Sequence, residues 1–430
     1  MRQLRLPVWV PEISGAANAC KMEIADAHPV TVGSSTFTTS LFSFRGLPPE
    51  IIFDKGEKMS SLKGFFSSRW GIIITGLVVG ILAPVLVKMG NPPNMGVCTA
   101  CFTRDIAGAL GLHKAAPVQY IRPEIIGFLL GALIAALMFR EFKPRAGSSP
   151  LLRFFLGMFA AVGALVFLGC PWRAYLRLGG GDWNALVGIA GLIIGISVGI
   201  VFLKMGFSLG RSYSAPKALG WVMPLVMIGL LVLLIAAPQF GRVTNPETKE
   251  VTMTGPIFLS TSGPGSQHAA IGISLAVGLL IGFLAQRSRF CTVGAIRDVI
   301  LLKDMHLLYG IIALIAAAFA TNAVLDQLKF GFADQPIAHT NQLWNFLGMV
   351  LCGLTFTLAG GCPGRQIFLS GEGDTDAAMF VVGMLFGAAF AHNLNLASSA
   401  DGPSIYGPAA TIFGLVVCVV IGLTMRERSA

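Results

Sequence analysis

Gly169-Cys170-Pro171-Trp172-Arg173 closes the apolar run LLRFFLGMFAAVGALVFL (151–168), and Gly361-Cys362-Pro363-Gly364-Arg365 closes the apolar run LWNFLGMVLCGLTFTLAG (343–360). The two pentapeptides lie 192 residues apart. Proline lacks the backbone donor and clashes with the preceding turn, so each run should break at its Gly-Cys-Pro. Broken backbone at membrane depth is tolerated only where protein buries it or it lines a wet cavity. Gly169, Pro171, Gly361 and Pro363 therefore read as helix breakers that place a thiol and a guanidinium in a pathway. The plainer alternative is a pair of ordinary turns at the membrane surface.

The composition fits spanning segments. The 430 residues are 54% hydrophobic and 12% charged, with a mean hydropathy of +0.73, whereas soluble chains carry about a quarter charged residues. Runs near the roughly 20 residues that cross a bilayer fall at about 71–89, 124–139, 151–168, 184–203, 219–237, 269–285, 308–325, 343–360, 377–392 and 408–424. The formal charge of +10 is spread between these runs and forms no patch, which argues against nucleic acid as a partner. With residue 59 inside, sixteen Lys and Arg fall in inner loops and nine in outer loops, so both termini are expected in the cytoplasm. No metal-ligand spacing and no phosphate-binding glycine loop occurs, so neither a metal nor another cofactor is expected.

The pentapeptide is one of several matches in register. Cys98-Thr99 with Arg104-Asp105 corresponds to Cys291-Thr292 with Arg297-Asp298, and FLGM recurs at 155–158 and 346–349. Asp182 and Asp374 follow the two pentapeptides at the same interval. The expected fold is all-α and polytopic, with about ten spans in two inverted repeats whose re-entrant or broken helices meet at the midplane. Repeat 1 is placed at 59–205, a connecting segment with one span at 206–264, and repeat 2 at 265–430. Residues 1–58 lack a spanning run and a signal-peptide order. The codons that can encode Lys55-Gly56-Glu57-Lys58 include a purine-rich ribosome-binding sequence, so Met59 is read as the native start and 1–58 as a non-native or disordered leader.

Five cysteines fall in the repeated elements: Cys98, Cys101, Cys170, Cys291 and Cys362. Cys352 and Cys418 lie within apolar runs and read as packing residues. A neutral thiol is a weak donor and a weak acceptor, which suits a soft substrate that must leave each site as readily as it binds. Arg173 and Arg365 are placed to attract an anion, or alternatively to cap carbonyls or pair with Asp182 or Asp374. In Arg104-Asp105 and Arg297-Asp298 the acid is expected to hold the base structurally.

QRSRFCTVGAIRD (286–298), AGGCPGR (359–365) and the two-copy arrangement resemble the YeeE/YedE sulfur-transport family, and NPPNMGVCTACFTRDIAGALGLHKAAPVQYIRPEIIG (91–127) is similar to its selenium-metabolism branch. The resemblance covers about 70–425. It implies a non-enzymatic inner-membrane importer whose central cysteines contact thiosulfate in the sulfur branch or a selenium species in the selenium branch. By motif position those cysteines are Cys98, Cys170, Cys291 and Cys362, while Cys101 has no counterpart because Gly294 takes its place. The implied partners are a small sulfur or selenium species, the lipid bilayer and a cytoplasmic sulfur- or selenium-accepting protein. A second hypothesis is a membrane thiol-disulfide oxidoreductase, supported by the Cys98-x-x-Cys101 spacing and weakened by the lack of a thioredoxin-like domain.

Overall fold

The computed structural model of the chain describes residues 64–240, 242–244, 251–253 and 256–426. The expected leader and the Met59 start lie outside them. Among the described residues the regular structure is almost entirely helical, its strands being only two or three residues long, and ten segments are long and apolar enough to cross a membrane. The protein is an all-α polytopic membrane protein.

The first set of helices is α1 (Arg69–Lys88), α2 (Thr99–Ala109), α3 (Pro123–Met138), α4 (Pro150–Phe167), α5 (Pro171–Gly179) and α6 (Asn184–Lys204). After α7 (Lys217–Phe240), the same order of long and short helices returns as α8 (Ile271–Arg287), α9 (Thr292–Leu302), α10 (His306–Val324), α11 (Gln342–Leu358), α12 (Pro363–Gly371) and α13 (Thr375–Asn393), followed by α14 (Gly407–Thr424). The short members match residue for residue: α2 and α9 have 11 residues each, and α5 and α12 have 9 each.

Packing runs mainly between the two sets. Helix α3 lies against α8 as α10 lies against α1, α6 lies against α11 as α13 lies against α4, and α5 meets α10 as α12 meets α3. Exchanging each of these helices for its counterpart turns each of these contacts into its mate. The last helices break this rule, since α7 packs on α3, α12 and α13 whereas α14 packs on α4, α6 and α11. Small residues allow the close approach, as expected where lipid gives no hydrophobic drive between helices. A Cβ at Gly131 of α3 would run into the Leu279 carbonyl of α8.

The two apolar runs break where proline requires. Leu168 ends α4 in the left-handed region at φ 62°, Gly360 follows α11 at φ 86°, and Pro171 and Pro363 start the short helices after each reversal.

One expectation needs correcting. Four of the nine basic residues counted in outer loops, Arg104, Arg122, Arg173 and Arg177, are buried, as is Arg287 of the inner sixteen. Leaving out these five residues strengthens the asymmetry to fifteen inner charges against five outer ones.

Candidate functional site

Each of the four repeated cysteines occupies the N-cap of a short helix: Cys98 for α2, Cys170 for α5, Cys291 for α9 and Cys362 for α12. Three sulfurs do the work of a capping oxygen. Cys98 Sγ accepts from the Cys101 amide at 3.4 Å, Cys291 Sγ from Gly294 at 3.2 Å and Cys362 Sγ from Arg365 at 3.4 Å. A helix N-terminus carries partial positive charge from its unpaired N–H groups, so four such ends are aimed at four thiols.

The thiols gather in pairs that join the starts of two short helices. Cys98 Sγ stands 3.8 Å from Cys170 Sγ, with Thr99 Oγ1 at 3.4 Å from the latter. In the second set the Cys362 amide points at Cys291 Sγ at 3.5 Å. All four cysteines are buried, as is Cys101, and none of the described cysteines forms a disulfide. Cys352 and Cys418 are also buried, Cys352 donating 3.6 Å to the Ala160 carbonyl.

The two sets touch at the pentapeptides themselves. Trp172 packs against Gly364, its positional equivalent. Phe128, Phe290 and Phe368 surround the indole at centroid distances of 5.7, 5.2 and 6.0 Å. Its Nε1 is buried without a hydrogen-bond partner.

The arginines of the two pentapeptides differ. Arg173 is fully buried and uses all three nitrogens: Nε donates to Asn94 O and Nη2 to Ile337 O, each at 2.8 Å, and Nη1 to Cys101 Sγ at 3.4 Å. Cys101, without a counterpart in the second set, thus joins Arg173 to the first thiol pair. Arg365 makes one looser contact, Nη1 to Glu372 Oε1 at 3.4 Å. Neither arginine pairs with Asp182 or Asp374. Those acids cap the next spans and hold other bases, Arg177 for Asp182 at 2.6 Å and Arg145 for Asp374 at 2.7 Å. Asp105 binds Arg104 at 2.7 Å and Arg122 at 2.8 Å, and Asp298 binds Arg297 at 2.8 Å.

Two cavities lie toward opposite ends of α3. One, of about 510 Å³, is lined by Lys88, Asn94, Gly96, Leu176, Asn322 and Lys329 among others. The other, of about 220 Å³, is lined by Glu141, Lys143, Arg145, Arg289 and Glu372. Partial burial would push the Glu141 carboxyl up, but hydrogen bonds from Gln286 and Arg287 and the nearby Arg289 charge hold it below its usual range. The sequence reading missed Trp172, Thr99, Asn94, Glu141 and Glu372. Thr99 had a signal, since Thr follows Cys in both copies. The others fall at positions that differ between the copies or lie outside the repeated motifs.

The family model for sulphur transport matches residues 27–171 and 287–425. The thiosulfate transporter TsuA of Spirochaeta thermophila is 35% identical over 107 residues, 25% of this chain and 32% of that protein. The thiosulfate transporter TsuA of Escherichia coli K12 is 32% identical over 99 residues, 23% of this chain and 28% of that protein. The chain thus spans about a third of the length of these two relatives. An uncharacterized protein of Methanocaldococcus jannaschii is 30% identical over 103 residues, 20% of this chain and 94% of the relative.

Proposed function

The chain belongs to the sulphur transport (YeeE/YedE) family, and from that membership we propose that it carries a small sulfur- or selenium-containing anion across the inner membrane along its central cysteines. The observation that carries this reading is the set of four buried cysteines, each at the N-cap position of a short helix and gathered in two pairs. Helix N-termini favour an anion without donating a full charge. Thiols add weak contacts, which allow release as well as binding. No covalent step is needed, so the role is transport and not catalysis.

Five candidate spans separate equivalent points of the two sets, and if each crosses once, that odd number turns the sets to face opposite ways. The pentapeptides then approach one another from opposite leaflets near the midplane, in keeping with the contact between Trp172 and Gly364. The distribution of Lys and Arg puts both termini in the cytoplasm, where a sulfur- or selenium-accepting protein receives the cargo.

The test is uptake of labelled thiosulfate, and separately of labelled selenium compounds, by cells in which this protein is the sole route. Accumulation of one label that the other competes away identifies the substrate. Absence of both, with the protein present in the membrane, rejects the reading.

A further inference from the structure

Glu124 lies in the first turn of α3, inside a candidate span, and is fully buried. Its Oε1 accepts from Asn91 Nδ2 at 2.7 Å and from Ser274 Oγ at 2.9 Å. Its Oε2 is buried and has no hydrogen-bond partner. A carboxylate oxygen left bare in a low-dielectric interior is costly unless it is paired or carries a proton.

No described cation pairs with it. Arg122 is two residues away, but its Nε goes to Asp105 Oδ2 at 2.8 Å, Nη1 to Gln267 O at 2.9 Å and Nη2 to Pro264 O at 2.7 Å. Asp105 beyond it is held by Arg104 as well. Tyr120 has a buried hydroxyl without a partner, and His268 stacks flat on its ring at 4.2 Å. Burial holds the His268 imidazole below its usual range. From α8 the carboxyl meets the Ser274 hydroxyl, and from the end of α1 it meets Asn91, with Lys88 exposed nearby. The start of α10, His306-Leu307, has no carboxyl, so this group belongs to one copy only.

The carboxyl is also wired to the thiol site. Asn91 Nδ2 donates to Gly96 O at 3.0 Å as well as to Glu124. The same turn offers Asn94 O to Arg173, which reaches Cys101, and Asn94 and Gly96 line the larger cavity.

We propose that Glu124 is a proton-binding site that couples proton movement to passage of the substrate. With a proton on Oε2 the carboxyl is neutral and Asn91 is shared between Glu124 and the 91–97 turn. Loss of the proton leaves a buried negative charge that draws Asn91 toward Oε1 and away from Gly96 O, loosening the turn that positions Arg173. The coupling rests on the transport reading above, whereas the proton site does not.

The experiment compares the parent protein with Glu124→Gln, whose amide keeps the acceptor for Asn91 and Ser274 but cannot exchange a proton. Infrared difference titration of the purified protein should reveal a carboxyl that titrates in the parent and is missing from E124Q; its absence from the parent overturns the proposal whatever the substrate. In liposomes, an acid-outside gradient should drive labelled thiosulfate inward in the parent. In E124Q this accumulation should fall at least about tenfold, the size of an ordinary coupling free energy, while exchange at equal pH persists. Accumulation by E124Q equal to the parent, or accumulation that follows sodium instead of protons, overturns the coupling. A titrating carboxyl in a protein that takes up neither thiosulfate nor a selenium compound supports the proton site and rejects the transport reading.

Discussion

Trp172 and Gly364 hold the same place in the two Gly-Cys-Pro-x-Arg elements, and they pack on each other: a Cβ at Gly364 would lie 2.8 Å from Trp172 Nε1 and 2.9 Å from Cε2. Two equal large residues at this position would collide, and two glycines would leave a void. The repeated element thus tolerates one departure from sameness because that departure fills the space between the copies.

Gly364→Ala should accordingly overpack the junction. Inserting a methyl where nothing can yield destabilises by about 1–3 kcal/mol. Thermal unfolding in detergent should report a lower midpoint, and combining the change with Trp172→Phe should recover part of it. A double variant no more stable than Gly364→Ala alone would show that the indole is not what the methyl meets.

Replacing Cys170 or Cys362 with alanine should abolish labelled thiosulfate uptake with little change in membrane abundance, since each cysteine stands at a helix N-cap position beside a second thiol. Serine should rescue poorly, because its hydroxyl binds water more strongly and is a harder contact. Cys352→Ala and Cys418→Ala should transport, as both cysteines lie within long helices away from the short-helix caps. Normal uptake by both serine variants would remove the thiol contact from the mechanism.

The arginines at the two breaks should answer differently to lysine. Arg173 uses a planar fork on two carbonyls and a sulfur, and one ammonium cannot reproduce that geometry. Arg365 holds Glu372 by one contact of 3.4 Å, which lysine can replace. Arg173→Lys should lose uptake nearly as fully as alanine, and Arg365→Lys should keep most of it. Equal behaviour of the two lysine variants in the same assay would refute the distinction.

What the sequence revealed and what it hid have physical causes. Long apolar runs, prolines that stop them and a cysteine beside each stop are local features, so the ten spans and both breaks were legible. Burial of a charge is not local. Arg122 and Arg177 read as loop residues because a basic residue at the end of an apolar run looks the same whether water or Asp105 and Asp182 receive it. Trp172 fell at the variable position of the motif, where a repeat draws no attention, and Glu124 stood at the edge of a run where a polar residue is unremarkable.

The buried pair of Arg177 and Asp182 should be structural. Both side chains are fully buried, at 2.6 Å, and Asp182 Oδ1 also caps α6 through the Asn184 amide at 2.9 Å. Asp182→Asn keeps an acceptor for the cap but strands the guanidinium, and removing one partner of a buried pair typically destabilises by about 3–5 kcal/mol. The protein should unfold earlier or fail to accumulate. Replacing both residues with apolar ones of similar volume should cost less than the single change, and unfolding midpoints of the two variants decide this.

The pairing of Cys98 with Cys170 makes a prediction that needs no substitution. Their sulfurs are 3.8 Å apart, and a disulfide requires about 2.05 Å, so a small local movement joins them. Diamide, a neutral two-electron oxidant, would take both thiol hydrogens and leave a Cys98–Cys170 bond. Peptide mass spectrometry should find that link, uptake should fall as it forms, and dithiothreitol should restore both. Saturating substrate should slow the reaction, because an anion lodged between the two thiols keeps them apart. A bond from Cys98 to Cys101 instead would transfer the redox-active pair to the Cys-x-x-Cys spacing and favour the oxidoreductase hypothesis. Full uptake after complete Cys98–Cys170 linkage would show that substrate does not pass between these two residues.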